Sequence, residues 1–258
     1  MKIHVLSDIH LEFYPFSLPQ TDADVVVLAG DIGTHTRGLE WAIEEIAPMQ
    51  KPLLYVIGNH EFYGAELHGL TAELQKRAVL AREKGIPVWV LADDEIQLNG
   101  VRFLGCTLWT NYQMYGSGRA MEAAMAIAKR AMNDHRLIRY APHDRFTPFH
   151  ALECHNKSVR WLDKMLSAPF SGKTVVITHH LPSETCVAPQ YKGDPLTPAF
   201  ASRLDHLVKK ADLWIYGHTH EGMQTDNLVC NPRGYVRRRP WGLEAENPEF
   251  NPALVVDL

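Results

Sequence analysis

Short apolar runs punctuate the chain: Ile3-His4-Val5-Leu6, Val25 to Ala29, Leu53 to Ile57, Val88 to Leu91, Val175 to Ile177, Leu213 to Tyr216 and Leu254 to Val256. Each is a few residues long, rich in Val, Ile or Leu, and bounded by Gly, Pro, Asp or Asn, which is how buried strands read. Between several of them the spacing changes to that of helices. Leu39, Ile43 and Ile46 share one face over Gly38–Ala47. Leu67, Leu70, Leu74 and Val79 do the same over Ala65–Lys84, which Gly85 and Pro87 end. Residues Ala199–Lys210 carry a similar pattern. Strands alternating with helices predict an α/β fold with much parallel pairing. Ile96 to Leu104 departs from this and reads as a hairpin turning at Asn99-Gly100. Residues 107–170 are too long for a simple connection and hold two helical patterns, Arg119–Met132 and Leu152–Leu166. We read them as a helical excursion beside the mouth of a site. No repeat or linker divides residues 1–258, so a single domain is expected.

Composition narrows the class. With 46% hydrophobic and 22% charged residues, disorder, collagen and coiled coil are excluded as the main architecture. No apolar run approaches the roughly 18 residues a membrane helix requires, so no membrane partner is expected. A net charge of −4 argues against a dedicated nucleic-acid binder, although bound metal ions would make an anion site locally positive. Four widely spaced cysteines without a CxxC pair read as free thiols in a reducing compartment. The first residues show no signal-peptide pattern, and a cytoplasmic location is the expectation. What stands out is 14 histidines in a chain with so few cysteines.

Histidine matters here by position. Five clusters follow predicted strands directly: Ser7-Asp8-Ile9-His10, Ala29-Gly30-Asp31, Ile57-Gly58-Asn59-His60-Glu61, Ile177-Thr178-His179-His180 and Tyr216-Gly217-His218-Thr219-His220. Ligands of open α/β sheets bind at the carboxyl ends of strands, so these clusters are expected on one rim. Asp oxygen, His nitrogen and Asn carbonyl oxygen suit divalent Mn, Fe, Zn or Co. Asp8 and His10, like His218 and His220, are two apart and can both reach one ion if the chain bends. Asp31 has two oxygens and is suited to bridging two ions. Gly30, Gly58 and Gly217 permit sharp turns and close backbone approach.

The ordered set D-x-H, G-D, G-N-H-[DE], isolated H and G-H-x-H resembles the calcineurin-like metallophosphoesterase superfamily. It is matched by Asp8/His10, Gly30-Asp31, Gly58-Asn59-His60-Glu61, His179 and Gly217-His218-Thr219-His220. The resemblance implies a four-layer α/β/β/α sandwich of two mixed sheets and a pair of divalent transition-metal ions. It assigns Asp8, His10, Asp31 and His220 to one ion, and Asp31, Asn59, His179 and His218 to the other. It makes His60 the catalytic group that is not a ligand, and Glu61 is placed to orient it. The chemistry then expected is hydrolysis of a small phosphomonoester or phosphodiester by a metal-activated water. Nuclease or cyclic-nucleotide phosphodiesterase activity is the alternative within enzymes. A catalytically silent scaffold would show lost ligands, and none is lost. The arginine of the protein-phosphatase block G-D-x-V-D-R-G is missing from Gly30-Asp31-Ile32-Gly33-Thr34-His35-Thr36. A protein phosphatase is therefore disfavoured, and with 38 residues after His220 there is little room for nuclease-type capping parts.

Other candidates rank lower. His35, four residues after Asp31, and Arg233 are the candidates for substrate contact. His4 and His180 read as structural, and Arg237-Arg238-Arg239 as a solvated face. His135, Tyr140, His143, Arg145, His150 and His155 lie in the excursion, and spacing does not choose among them for a substrate role.

Overall fold

The computed structural model describes residues 1–258. Its strands are β1 (Lys2–Leu6), β2 (Val25–Ala29), β3 (Leu53–Val56), β4 (Val88–Leu91), β5 (Asp94–Leu98), β6 (Val101–Cys106), β7 (Arg139–Ala141), β8 (Asp144–Arg145), β9 (Thr174–Thr178), β10 (Leu213–Tyr216), β11 (Met223–Gln224), β12 (Leu228–Cys230), β13 (Val236–Arg239), β14 (Gly242–Ala245) and β15 (Val255–Asp257). The helices are α1 (Arg37–Ile46), α2 (Leu67–Glu83), α3 (Arg119–Ala131), α4 (Asp134–Leu137), α5 (Pro148–Ser167) and α6 (Asp205–Val208). One sheet has the order β15-β1-β2-β3-β4 and the other β11-β12-β10-β9-β6-β5. In both, a parallel centre carries antiparallel edge strands: β15 on β1, β5 on β6, and β11 on β12.

Alternation along the strands makes the layers. Ile3, Val5, Val25 and Val27 face Phe103, Val175, Ile177 and Ile215 between the two sheets. The intervening residues Leu6, Val26 and Leu28 point the other way, against Leu39 and Ala42 of α1 and Leu70 and Leu74 of α2. Behind the second sheet, Leu104, Val176 and Trp214 pack with Leu162 of α5 and Leu207 of α6. Three apolar layers thus separate helix, sheet, sheet and helix, the expected four-layer sandwich. The parallel strands β1, β2 and β3, and likewise β9 and β10, deliver their carboxyl ends to a common rim. There Ser7 N donates to Asn231 O at 3.1 Å and Gly217 N to His179 O at 3.0 Å.

Two expectations need correction. Of Ala199–Lys210 only Asp205–Val208 is α-helical. Ser202 N and Leu204 N donate instead to Leu181 O and Pro182 O, so the segment spends its backbone on pairing with the loop after β9. The second excursion helix starts at Pro148 rather than Leu152, because Thr147 and His150 form a reciprocal cap with Pro148 in the first turn.

Candidate metal centre

The rim loops bend sharply, and the strain falls on the candidate ligands. Asp8, His10, Asp31, His218 and His220 all have left-handed φ between 51° and 71°. Such backbone costs about 1–3 kcal/mol per residue and collects at functional sites. The glycines between them make room. A Cβ on Gly58 would lie 2.2 Å from Asp31 Oδ1, and one on Gly30 would lie 2.4 Å from His179 Nδ1. Glu61 fixes the same turn from beneath. Its buried carboxylate accepts from Asp31 N, Ile32 N, Gly58 N and the Tyr55 hydroxyl at 2.7–3.1 Å. Burial and the nearby Asp31 charge push its pKa up to about 7. Glu61 is thus a clamp on the backbone and does not orient His60, contrary to the sequence reading.

All seven candidate ligands converge. Asp8, His10 and His220 bring their donor atoms within 4.8 Å of one another, and so do Asp31, His179 and His218. Asn59 joins the second group, with Oδ1 2.9 Å from His179 Nε2. Asp31 lies between the groups. Its Oδ1 is 3.3 Å from His179 Nε2, and its Oδ2 is 3.9 Å from His10 Nε2. Burial opposes the Asp31 carboxylate, but His179, His60 and His10 hold its pKa well below the ordinary value.

The histidines are arranged to present lone pairs. His10 Nδ1 donates to Glu12 Oε1 at 3.1 Å and His220 Nδ1 to Glu246 Oε2 at 2.7 Å. Their Nε2 atoms then face each other at 2.9 Å. With both Nδ1 protons committed to carboxylates, that contact needs either a second proton on one ring or a cation held by both lone pairs. His179 Nδ1 donates to Ala29 O at 2.9 Å. His218 Nε2 is buried without a hydrogen-bond partner. Burial and the neighbouring histidines hold the His218 pKa well below normal, so its ring is neutral and competent to coordinate. The donor set, the facing lone pairs and the orphaned nitrogen fit divalent ions, with imidazole tautomers set by carboxylate and carbonyl partners.

His60 stands beside this group. Its Nδ1 lies 2.9 Å from the same Glu12 Oε1, and its Nε2 is 3.3 Å from the Tyr235 hydroxyl and 3.9 Å from Asp31 Oδ2. Burial disfavours the His60 cation, but Asp31 and Glu12 outweigh it and raise the pKa to about 9. Glu12 itself is held near 2, with burial opposing and the two histidines prevailing. The excursion reaches in through Asp134, whose Oδ1 accepts from Asn59 Nδ2 at 3.0 Å and the Tyr63 hydroxyl at 2.8 Å. That turns the amide oxygen of Asn59 toward His179.

A cavity of about 420 Å³ opens from these residues. Leu181, Val187, Leu196, Phe200 and Met132 form an apolar wall, and Asp194, Glu221 and Glu246 are also among its lining residues. No Lys or Arg lines it. The two candidate substrate contacts lie outside. His35 is exposed and absent from the lining. Arg233 is buried, with its guanidinium donating to Ile9 O, Tyr14 O and Pro15 O at 2.9–3.1 Å. Those three carbonyls occupy the group as a tie for the loop after β1. His4 and His180 are structural as read, bonded to Pro252 O and Thr107 O. Sequence reasoning missed Glu12, Asp134, Tyr235 and Glu246. Only Glu12 left a signal, as the acidic residue two positions after His10 on the same loop.

The motif order is decided by comparison with known proteins: a family model for the calcineurin-like phosphoesterase domain matches residues 1–222. The chain belongs to the calcineurin-like phosphoesterase family. It is a phosphoric ester hydrolase. The uncharacterized protein L509 of Acanthamoeba polyphaga mimivirus is 23% identical over 282 residues, covering 99% of this chain and 96% of that protein. The [acyl-carrier-protein] phosphodiesterase PptH of Mycobacterium tuberculosis is 22% identical over 268 residues, covering 93% and 80%. The crystal structure of that phosphopantetheinyl hydrolase superposes with a TM-score of 0.68 at 18% identity, covering 96% of each chain. TT1561 of Thermus thermophilus follows at 0.53 and 15%, covering 95% and 98%. These structural likenesses establish the fold. No helix here is long and apolar enough to cross a membrane.

Proposed function

We propose that this protein hydrolyses phosphodiesters at a two-metal centre. Asp8, His10, Asp31 and His220 would hold one ion, and Asp31, Asn59, His179 and His218 the other. The observation that carries this reading is Asp31, whose two oxygens face different histidine groups. When bound, such a pair supplies Lewis acidity toward phosphoryl oxygens and acidifies water. The chain's own residues supply the rest. Glu12 and Glu246 lock His10 and His220 as Nδ1–H tautomers, so both lone pairs stay aimed inward. Water's oxygen bonds to phosphorus as the water gives up a proton to solvent, the bond to the leaving oxygen breaks, and that oxygen needs a proton. His60 Nε2 faces the cavity with Nδ1 held by Glu12, and it delivers that proton as general acid.

The cavity favours a diester over a monoester. Beyond the His60 cation the lining offers a second phosphate charge no Lys or Arg, and it also holds Asp194, Glu221 and Glu246. Its apolar wall suits a narrow, uncharged chain on one side of phosphorus. A carrier-protein phosphodiester with a pantetheinyl arm, the substrate class in the names of the Mycobacterium tuberculosis relative, has that form.

With Mn²⁺ supplied, bis(p-nitrophenyl) phosphate should turn over faster than p-nitrophenyl phosphate. Asp31→Asn should abolish turnover and leave neither ion bound by elemental analysis. Faster monoester turnover defeats the diester assignment. Two retained equivalents of metal in Asp31→Asn defeat the bridging role.

A further inference from the structure

The strands β13 and β14 pair only with each other, Val236 opposite Ala245 through Arg239 opposite Gly242. This hairpin grows directly out of the site. Tyr235, just before it, reaches His60, and Glu246, just after it, holds His220. It carries the most exposed of the large apolar side chains. Trp241 at the tip is 77% exposed and Leu243 is 55% exposed. Arg238 lies opposite Leu243 on the same face. Arg239 is tied to Glu244, whereas Arg237 and Arg238 are in no ion pair, and Arg237 lies over the Tyr235 ring. A chain of net charge −4 thus places three arginines, a tryptophan and a leucine beside a cavity whose lining holds Asp194, Glu221 and Glu246 and no Lys or Arg.

We propose that the hairpin 236–245 is a docking arm for an acidic protein that carries the scissile phosphodiester, guiding the ester's arm into the cavity. The proposal rests on the phosphodiesterase reading above. Arg and Trp are the side chains that dominate protein–protein contacts, and unpaired arginines steer an acidic surface. A nucleic acid is disfavoured because the cavity lining offers a phosphate backbone no Lys or Arg. An isolated two-stranded ribbon is marginally stable by itself, so a partner would also complete its packing.

The test compares two substrates of the metal-loaded protein, bis(p-nitrophenyl) phosphate and a holo acyl carrier protein. Arg238→Glu and, separately, Trp241→Ala should raise KM for the carrier protein roughly tenfold or more, with steeper loss in the charge reversal at low salt. Both should leave kcat for the carrier, and kcat/KM for the small diester, within about twofold. Unchanged carrier KM in both variants overturns the proposal, and so does equal loss on the two substrates. Inhibition by a DNA oligonucleotide or anionic vesicles that the charge reversal relieves, with carrier turnover unaffected, overturns it in favour of those partners. Turnover of the small diester without any of the carrier protein overturns the docking role and leaves the hydrolase reading standing. Turnover of neither overturns both.

Discussion

At the scale of single residues, one carboxylate organises two rings. Glu12 Oε1 receives Nδ1 of both His10 and His60, one a candidate ligand and the other the proposed acid. A His60→Ala variant should retain two equivalents of metal and lose roughly 10²–10⁴-fold in turnover, the usual contribution of general acid–base catalysis. Metal missing from that variant would make His60 a ligand. Glu12→Gln touches both functions through partners alone. It should weaken metal affinity by about 10–100-fold, read by competition with a chelator, because the His10 ring loses its carboxylate. It should also move the alkaline limb of the pH–rate profile to lower pH, since the general acid is lost as pH rises through the His60 pKa and Glu12 is one of the groups that raise it. An unchanged profile with weakened metal binding would confine Glu12 to the metal side. Legibility differs sharply between these neighbours. His10 and His60 each stand just past an apolar strand in a recognisable order. Glu246 lies 26 residues beyond His220 in a loop without periodicity, and only tertiary contact brings it to that ring.

At the scale of elements, short Val-rich runs bounded by polar residues located the sheet centres, and the Asn99-Gly100 signal located the hairpin between β5 and β6. Those features are local: alternation, buried-strand composition and turn chemistry act over a few residues. The segment around Ala199–Lys210 misled because its apolar spacing serves packing against the loop after β9, where backbone groups find long-range partners instead of a helical ladder. Glu61 misled for a related reason. Its adjacency to His60 suggests a partner, but the one-turn 3₁₀ element His60–Phe62 turns its carboxylate into the β2–β3 loops. The turn it clamps has no spare volume. Gly58→Ala would set a methyl 2.2 Å from Asp31 Oδ1 and 2.4 Å from Asp31 N. We expect it to cost about 1–3 kcal/mol in urea unfolding, the scale of an overpacked core. Because the atom displaced is the proposed bridge, it should also release metal from both groups. A variant that unfolds earlier yet keeps both ions would show that Asp31 can shift without losing its ligand role.

At the scale of the whole molecule, burying so many imidazoles makes stability depend on pH away from the metal groups as well as within them. His155 on α5 is a case that the reaction does not use. It is 2% exposed, its Nδ1 lies 3.3 Å from Trp109 O, and burial drives its pKa down to about 4. The unfolded chain takes up that proton near the ordinary value of 6.5, while the folded chain resists until about pH 4. Above pH 6.5 neither state is protonated there and the residue adds no pH dependence. As pH falls from 6.5 to 4 the unfolded state alone gains the proton, so stability is lost across that window, by up to about 3 kcal/mol for this one group. Below pH 4 both states are charged and the loss levels off. His155→Asn retains a donor for Trp109 O while removing the titration. It should be less stable than the parent at pH 7, where a close-packed ring is lost, but its unfolding free energy should fall less between pH 6.5 and 4. Urea unfolding of metal-free parent and variant at each pH isolates the difference, because the buried histidines of the site contribute equally to both curves. Parallel curves would mean that His155 titrates normally in the folded chain and that its burial is relieved by local opening of α5.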